Sequence, residues 1–377
     1  MTTQSGNSPV PLQVLVATPL GKGGNGGIDR LMDLLRDRYE MSGDREAVIR
    51  FASTRGKGHI LLSPVYLAAF LFRMALLKLT GRLDILHINL SSQGSFSRKR
   101  IVARFAMMLG VPYVLHLHGS RFREFYESAS PGKQQAIRET FVNARAAIVL
   151  GSYWREFVSG MDGRINTVIL HNATAPLDVP IKANSPGEVH VAFLGALGAR
   201  KGVPELVEAA RRLADLPGWK MTIAGNGEVE ETRKVVAEHG LGDRIAIPGW
   251  LGPQDSAALL GTCDVVVLPS YNENLPMSVI EGMGAGKAVV TTPVGAVLDI
   301  ISDEDNGLIV QPGNVEELTA ALKRVIEDGE LRRKLGENAR STHREMLDIS
   351  TYLQRLTAIW KEALSNASAN KQQNLNT

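Results

Sequence analysis

The sequence predicts an α/β protein with two doubly wound parallel sheets, one in each half of the chain. Short apolar runs rich in Val and Ile alternate with segments long enough for crossover helices, which is typical of parallel sheets covered on both faces. The 377 residues suffice for two domains of ordinary size, and 44% hydrophobic with 21% charged residues indicates a globular protein. A loop richer in Pro and Ala, residues 173–187, interrupts the alternation near the middle.

Each half contains six apolar runs of strand length. In the first half they are residues 12–18, 47–52, 84–90, 112–118, 146–151 and 165–172, and in the second half residues 189–195, 220–225, 243–249, 263–269, 288–292 and 307–310. Three helical stretches follow, and then a polar tail, residues 365–377, that we expect to be disordered. The pattern predicts domains over residues 1–175 and 176–350. Residues 351–377 should form a helix that packs back towards the N-terminal domain, followed by the tail.

The composition also indicates the cellular compartment of the protein. A single cysteine, Cys263, rules out an internal disulfide framework and fits a reducing compartment. The first residues lack the basic and then apolar order of a signal peptide. The most apolar run, residues 65–79, is too short for a bilayer span and contains Arg73 and Lys78. We therefore expect a cytoplasmic protein.

The net charge of +3 conceals an asymmetry between the two halves. Residues 1–175 hold 22 Lys and Arg against 12 Asp and Glu, a net charge of +10, which leaves −7 for residues 176–377. The first half should therefore meet an anionic partner, such as a membrane surface or a lipid diphosphate. Nucleic acid is not expected, because no nucleic-acid-binding module or basic-aromatic stripe is present.

Glycines follow the first predicted strand, in the segment "PLGKGGNGGIDR" at residues 19–30. Glycines let a phosphate approach the amides at a helix N-terminus, but a simple strand-to-helix turn has the same composition. The spacing departs from the G-x-G-x-x-G dinucleotide fingerprint, and no acidic residue ends the next strand. A nicotinamide enzyme is therefore disfavoured, and no cofactor is expected.

Charged residues follow two strands of the second half. Arg200 and Lys201 come after the strand at 189–195, where two cations beside helix amides suit a diphosphate, although a solvated helix start is the alternative. The stretch "PSYNENLPMSVIEGMGAGKAVV" at 269–290 places Glu273 in a loop and Glu281 in a helix that Pro276 begins. Carboxylates bind hydroxyl groups better than they bind a diphosphate. A ligand with a diphosphate, a ribose and further hydroxyl groups is a nucleotide sugar.

Two further patterns could suggest metal binding. His116 and His118 share one face of a strand, but no third ligand stands near them in the sequence. The segment "DEDN" at 303–306 has Asp-x-Asp spacing but precedes a strand, so we interpret it as a solvated turn. We interpret His116 as a packing residue, and no metal site is predicted.

The 269–290 stretch resembles the E-x7-E signature of the family 4 retaining glycosyltransferases, which have the GT-B fold of two Rossmann-like domains facing one cleft. The resemblance covers most of the chain. It extends to "GGIDR" in the first loop, "HLHGS" after the fourth strand, "FLGALGARKG" and "IAGNGE". It implies an acceptor-binding N-terminal domain and a nucleotide-sugar-binding C-terminal domain.

The resemblance also implies residue roles. Lys201 and Arg200 would hold the diphosphate, Glu281 the ribose and Glu273 the sugar hydroxyls, with His118 beside the reacting sugar. Backbone at Asn274 and Leu275 would contact phosphate. Gly225, Asn226 and Gly227 would lie near the base, and Gly26 and Gly27 would approach the donor phosphate. The sequence has Ala196 where the family often has a phosphate-binding arginine, and Ala288 where proline is common.

What the resemblance implies is metal-independent hexosyl transfer with retained anomeric configuration, from a UDP- or GDP-sugar. The apolar run 65–79, "SRKR" at 97–100 and "HGSRFREFY" at 118–126, together with the basic first half, favour a lipid-linked saccharide acceptor, such as one on polyprenyl diphosphate. This would place the enzyme in exopolysaccharide or cell-envelope polysaccharide synthesis, associated with the inner face of the membrane. A buried crossover helix and a soluble acceptor stay open. So do a nucleotide-sugar epimerase and a non-catalytic nucleotide-sugar-binding protein.

Overall fold

The computed structural model describes residues 10–23, 27–43, 46–56, 58–177 and 187–373. The chain divides into two compact units. The first unit takes the chain up to Leu150, the segment Trp154–Leu170 and the chain from Tyr352 onward. The second unit takes Gly151–Tyr153 and His171–Thr351.

The first unit contains a six-stranded parallel sheet with the strand order β2-β1-β3-β4-β5-β6. Its strands are β1 (Leu12–Thr18), β2 (Ala47–Ser53), β3 (Ile85–Leu90), β4 (Tyr113–Leu117), β5 (Ala146–Val149) and β6 (Thr167–Ile169). The connecting helices are α1 (Gly27–Ser42), α2 (Ser63–Leu79), α3 (Gly94–Met108), α4 (Phe122–Glu127), α5 (Pro131–Val142) and α6 (Ser152–Met161). The strands β3, β4 and β5 are buried along their whole length, as expected when helices cover both faces.

The second unit contains another six-stranded parallel sheet, with the order β12-β11-β10-β7-β8-β9. Its strands are β7 (Val189–Leu194), β8 (Trp219–Ala224), β9 (Ile245–Gly249), β10 (Val265–Leu268), β11 (Ala288–Thr291) and β12 (Leu308–Ile309). Its helices are α7 (Val203–Arg212), α8 (Val229–Glu238), α9 (Pro253–Thr262), α10 (Met277–Gly284), α11 (Val315–Glu327) and α12 (Gly329–Thr342). The twelve strands confirm the predicted fold class of two doubly wound sheets.

The strand order of the second unit locates its ligand-binding edge. The chain runs outward from β7 to β8 and β9, and then crosses back to β10 on the other side of β7. The strands β7 and β10 are neighbours, but the chain leaves β7 towards β8 and leaves β10 towards β11, on opposite sides. The loops after these two strands therefore diverge and leave a crevice at the carboxyl ends of the strands. Open α/β sheets bind their ligands at this point.

The end of the chain differs from the sequence-based expectation. A short π-helix, His343–Leu347, leads into α13 (Ile349–Gln373), which continues through most of the tail predicted to be disordered. Residues 365–373 contain no Gly or Pro, and include the helix formers Ala, Lys and Gln. The helix therefore has no stop signal at residue 365. The chain from Tyr352, which contains most of α13, belongs to the first unit.

Candidate functional site

The residues of greatest interest lie in the loops after β7 and β10. Lys201 ends a 3-10 turn, Ala199–Lys201, that precedes α7, while Glu273 lies in the loop between β10 and α10. The Lys201 Nζ donates a hydrogen bond to Glu273 Oε1. Both side chains are mostly shielded, with 13% and 11% of their surface exposed. The ion pair therefore joins the loop after β7 to the loop after β10.

Arg200 stands beside this pair but is half exposed. Its guanidinium Nη1 lies 3.8 Å from Glu273 Oε1 and donates a hydrogen bond of 3.0 Å to the carbonyl oxygen of Asn272. The backbone is also tied, because the Tyr271 N–H donates to the Arg200 carbonyl at 3.0 Å. Two cations thus flank one carboxylate, and these three side chains together carry a net positive charge that suits an anionic ligand.

Two glycines allow the loops to approach so closely. Gly202 has φ of +69°, and a Cβ there would collide with the carbonyl oxygen of Pro269 after β10. Gly225, after β8, has φ of +153°, and a Cβ there would collide with the carbonyl oxygen of Gly195. Only glycine adopts such angles without strain and leaves that space open. The predicted donor-site residue Gly225 therefore has a structural reason to be glycine.

The other two residues of that predicted group, Asn226 and Gly227, pair with the loop after β7. The Leu197 N–H donates to the Asn226 carbonyl at 2.6 Å, and the Glu228 N–H donates back to the Leu197 carbonyl at 3.0 Å. The Gly225 N–H donates to the Gly249 carbonyl at 2.8 Å, so the loops after β7, β8 and β9 join along one edge. Trp250 follows Gly249 and is 57% exposed.

The loop before α10 is held from several sides. Asn274 and Leu275 are buried, and the Asn274 carbonyl accepts a hydrogen bond of 2.7 Å from the Ala296 N–H. The Leu275 carbonyl accepts one of 2.8 Å from the Asn172 side chain. Pro276 occupies the N-cap position, so α10 begins at Met277 and Glu281 lies in its second turn, partly exposed. The structure thus brings Arg200, Lys201, Glu273, Asn274 and Leu275 to one edge.

Sequence reasoning missed Asn172 and Trp250. Asn172 belongs to "HNAT", where the run 165–172 ends, and it fixes the loop that carries Glu273. Its role depends on a partner 103 residues away, so no local pattern indicates it. Trp250 had a usable signal, since a large aromatic residue directly after a strand is placed at the carboxyl edge of the sheet.

His118 belongs to the first unit, directly after β4. Its Nε2 and the Asn89 Oδ1 are 2.8 Å apart, and the Asn89 Nδ2 donates to the Ala17 carbonyl at 3.3 Å. Asn89 therefore presents its oxygen to His118, and His118 carries its proton on Nε2. Burial and the neighbouring imidazole of His87 lower the pKa of His118 to about 3. The ring is neutral near pH 7.

His116 is a packing residue, as expected. It is completely buried, and its ring lies 4.0 Å from the His118 ring and 5.3 Å from the His87 ring, between centroids. Among the described residues, neither of its ring nitrogens has a hydrogen-bond partner. Burial, followed by the neighbouring His118 and His87, lowers the pKa of His116 well below 6.5.

The glycine-rich loop is only partly described. Gly27 is the exposed first residue of α1, while Gly26 lies outside the described residues. Two loop amides already have acidic partners, since the Gly23 N–H donates to Asp33 at 2.6 Å and the Leu20 N–H to Asp29 at 3.4 Å. A phosphate would have to displace or avoid these carboxylates, so this loop is a weaker anion site than the Lys201 edge.

The "DEDN" segment is a turn, as predicted. The Asp303 carboxylate accepts hydrogen bonds from the Glu304 and Ile309 N–H groups, and Glu304 forms an ion pair with Arg324. In the part of the chain that the structure describes, no group of three or more His, Cys, Asp or Glu side chains is arranged to hold a metal ion.

Comparison with known families identifies part of the chain. The family model described as "Glycosyl transferases group 1" matches residues 178–342, which include Arg200, Lys201, Glu273 and Glu281. The match thus coincides with the second sheet and its carboxyl edge.

Two curated relatives illustrate the range of similarity. A 2-deoxystreptamine glucosyltransferase from Streptomyces kanamyceticus is 28% identical over 297 residues, which cover 73% of this chain and 76% of the relative. An N,N'-diacetylbacillosaminyl-diphospho-undecaprenol alpha-1,3-N-acetylgalactosaminyltransferase from Campylobacter jejuni is 33% identical over 144 residues, 37% of this chain and 36% of the relative. Several other relatives are matched over 45% to 49% of their own length.

The fold extends over nearly the whole chain. The Anabaena protein Alr3699/HepE, solved in complex with UDP and glucose, superposes with a TM-score of 0.71 and 17% sequence identity, covering 93% of this chain and 99% of that one. The chain therefore has the GT-B fold, and residues 178–342 within it match the glycosyltransferase group 1 model.

Proposed function

We propose that the protein is a glycosyltransferase that moves a sugar from a nucleoside-diphosphate sugar to an acceptor hydroxyl group. The observation that carries this proposal is the shielded Lys201–Glu273 pair, flanked by Arg200, at the strand switch point of the glycosyltransferase group 1 domain. The pair offers a cation to a diphosphate and a carboxylate to hydroxyl groups. A nucleotide sugar contains both a diphosphate and hydroxyl groups. UDP or GDP is the expected carrier, and UDP is the nucleotide bound by the Anabaena protein.

The donor roles follow from chemistry and position. Lys201 and Arg200 would exchange Glu273 for the diphosphate, and Glu273 would then accept hydrogen bonds from the sugar hydroxyls. Glu281, in the second turn of α10, would bind the ribose, and the backbone at Asn274 and Leu275 would lie against the phosphates. The Gly225, Asn226 and Gly227 loop, with the exposed Trp250 beside it, would receive the base.

The proposed reaction retains the anomeric configuration and needs no metal ion. The bond between the anomeric carbon and the diphosphate oxygen breaks, the acceptor oxygen attacks from the same face, and the acceptor proton passes to the departing diphosphate. Such a step depends on stabilising the charge of the leaving group, which Lys201 and Arg200 can do without a metal ion. For His118, Gly26 and Gly27, the proposal keeps the donor-binding roles that the family resemblance implies.

The proposed acceptor is a lipid-linked saccharide, as in cell-envelope or exopolysaccharide assembly on the cytoplasmic side of a membrane. The net charge of +10 in residues 1–175 supports an acceptor with a lipid diphosphate. The Campylobacter relative is named for such an acceptor, whereas the Streptomyces relative is named for 2-deoxystreptamine, a soluble one. Both acceptor classes belong in the test.

The test is a transfer assay with UDP-, GDP-, ADP- and dTDP-sugars, with products identified by mass spectrometry and NMR. We expect one donor to give a product of retained anomeric configuration, with or without excess EDTA. An inverted product, or activity abolished by EDTA and restored by manganese, would contradict the mechanism. Conversion of the donor sugar without any acceptor would indicate an epimerase. Donor binding without turnover on any acceptor would indicate a binding protein.

A further inference from the structure

Helix α2 of the first unit is apolar on both of its faces. Its inner face carries Phe70, Met74 and Leu77, which are buried in the same core cluster as Leu15 and Ala17 of β1. A helix that covers a sheet of a globular protein normally turns a polar face to water. The outer face of α2 does not follow this rule.

The outer face of α2 is a stripe of exposed apolar side chains. Val65, Phe72, Leu76 and Leu79 recur at helical spacing, and they are between 50% and 84% exposed. Ala68 and Ala69 complete the stripe, and Leu61 and Leu62 extend it just before the helix. Single exposed apolar residues are ordinary, but a continuous apolar stripe marks an interaction surface.

Helix α3 continues this surface. It contacts α2, and its residues Phe96, Val102 and Ala106 belong to the same core cluster, so both helices cover the same face of the sheet. Ile101 and Met108 are exposed on its outer side, and Arg104 lies between them at helical spacing. We call the exposed side chains of residues 61–79 and 101–108 the α2–α3 surface.

The chain segment that carries the α2–α3 surface is strongly basic. Residues 47–123 contain twelve Lys and Arg but one acidic residue, Asp84. Not all of these cations are available, because Lys99 of "SRKR" is buried and its Nζ donates to the Ala17 carbonyl at 3.1 Å. Arg104 is exposed on α3, and Arg73 is exposed on α2, where its Nη1 also donates a hydrogen bond of 3.4 Å to the Phe51 carbonyl. An anionic partner is therefore favoured.

We propose that the α2–α3 surface is a docking site for a membrane that contains anionic lipids. Apolar side chains of α2 and α3 enter the boundary between head groups and acyl chains, while Arg73 and Arg104 extend to lipid phosphates. The attachment is peripheral, and no described helix has the length and hydrophobicity needed to cross a bilayer. This inference deepens the proposed function, because it names the surface that would bring a lipid-linked acceptor to the enzyme.

Vesicle co-sedimentation of the full chain at low salt, without donor or acceptor, tests the proposal. We expect binding to vesicles of phosphatidylglycerol and phosphatidylcholine, and much weaker binding to phosphatidylcholine alone. The double variant Phe72→Ser/Leu76→Ser should bind at least about tenfold more weakly, because burial of one such side chain contributes about 1.5–3 kcal/mol. Arg73→Gln and Arg104→Gln should each weaken binding about fivefold, and only to the anionic vesicles.

Met41→Ser is the matched control. Met41 is 79% exposed near the end of α1. Met32 of α1 contacts Asn89 of β3, so α1 covers the face of the sheet opposite to α2 and α3. This control should bind vesicles like the wild type. Circular dichroism and thermal unfolding should show that all variants remain folded, because the substituted side chains are exposed.

Three results would overturn the proposal. The wild type could remain in the supernatant with every vesicle, or the Phe72→Ser/Leu76→Ser variant could bind as the wild type does. Light scattering without vesicles could also show a dimer that this variant converts to monomers, in which case a second copy of the chain covers the surface. Sugar transfer to a soluble acceptor, measured on the same variants, separates failure of the docking site from failure of the proposed function.

Discussion

Glu273 and Lys201 form an ion pair with each other. Since both side chains are largely shielded from water, their attraction is stronger than that of an exposed pair, and each would be costly to leave alone. A ligand that enters must therefore offer an anion to Lys201 and hydrogen-bond donors to Glu273. A nucleotide sugar meets both requirements, with its diphosphate for Lys201 and its sugar hydroxyl groups for Glu273.

Because Arg200 remains 3.8 Å from Glu273 and partly compensates its charge, replacement of Lys201 should affect catalysis more than folding. In Lys201→Ala, kcat/KM should fall by an amount equivalent to about 2–4 kcal/mol, because the leaving diphosphate loses a charge-assisted contact. Steady-state kinetics and thermal unfolding of the purified variant measure the two effects. Lys234→Ala on the exposed face of α8 is the control, and near-normal turnover of Lys201→Ala would refute the role.

Replacement of Glu281 and replacement of Glu273 should change different kinetic constants. Glu281→Gln keeps the side-chain shape but weakens its acceptance of the ribose hydroxyl protons, so the donor KM should rise. Glu273→Gln should lower kcat more than it raises KM, because Glu273 would act where charge develops on the reacting sugar. Kinetics with one identified donor separate these outcomes. An unchanged kcat for Glu273→Gln, or the same KM shift in both variants, would contradict the division of roles.

The loops after β7, β8 and β9 act as one element, because backbone hydrogen bonds join them at Leu197, Gly225 and Gly249. The arrangement needs glycine at position 225, where the left-handed backbone and the nearby Gly195 carbonyl leave no room for a side chain. The candidate base-binding edge therefore depends on backbone geometry rather than on side-chain chemistry.

Gly225→Ala should disturb this edge. We expect a loss of roughly 1–3 kcal/mol in the free energy of unfolding from backbone strain, and weaker donor binding. Gly242→Ala is the matched control, because a Cβ there meets nothing within 4 Å. Urea unfolding and donor titration measure both effects. If the two alanine variants behave alike, the loops are not held as described.

The elements differ in how well the sequence predicts them. The Val- and Ile-rich runs predict all twelve strands, because buried parallel strands need continuous apolar residues. The position of Lys201 and Glu273 at neighbouring strand ends follows from the same pattern. The Lys201–Glu273 pairing and the Asn172–Leu275 hydrogen bond do not, since each joins residues 72 or 103 positions apart. For the apolar run 65–79, the sequence left an interfacial helix and a buried crossover helix open, because composition alone does not show whether one face or both are buried. The structure exposes the outer face of this helix.

At the scale of the whole molecule, the buried histidines link stability to pH. Burial lowers the pKa of His87 to about 4 and of His118 to about 3, and burial also lowers that of His116. In the unfolded chain, histidines take up protons below about pH 6.5, whereas in the folded protein these three remain neutral to lower pH. Their contribution to stability is therefore complete above about pH 6.5 and is lost as the pH falls towards 4.

The free energy of unfolding should accordingly decrease between pH 7 and pH 5. Each such histidine contributes a slope of up to about 1.4 kcal/mol per pH unit. His116→Phe should reduce the slope, because it removes one group that is protonated only on unfolding, while His239→Gln, at an exposed position, serves as the control. Urea unfolding across this pH range measures the slope. A slope that His116→Phe leaves unchanged would contradict this account.

The central claim is that the Lys201 edge of the second sheet binds the diphosphate of a nucleotide sugar. The most direct measurement is the thermal unfolding of the wild type, Lys201→Ala and Lys234→Ala with a panel of UDP-, GDP-, ADP- and dTDP-sugars, since a bound ligand raises the unfolding temperature according to its affinity. We expect one nucleotide series to stabilise the wild type and Lys234→Ala but not Lys201→Ala. Equal stabilisation of Lys201→Ala, or no stabilisation of the wild type by any donor of the panel, would contradict the claim.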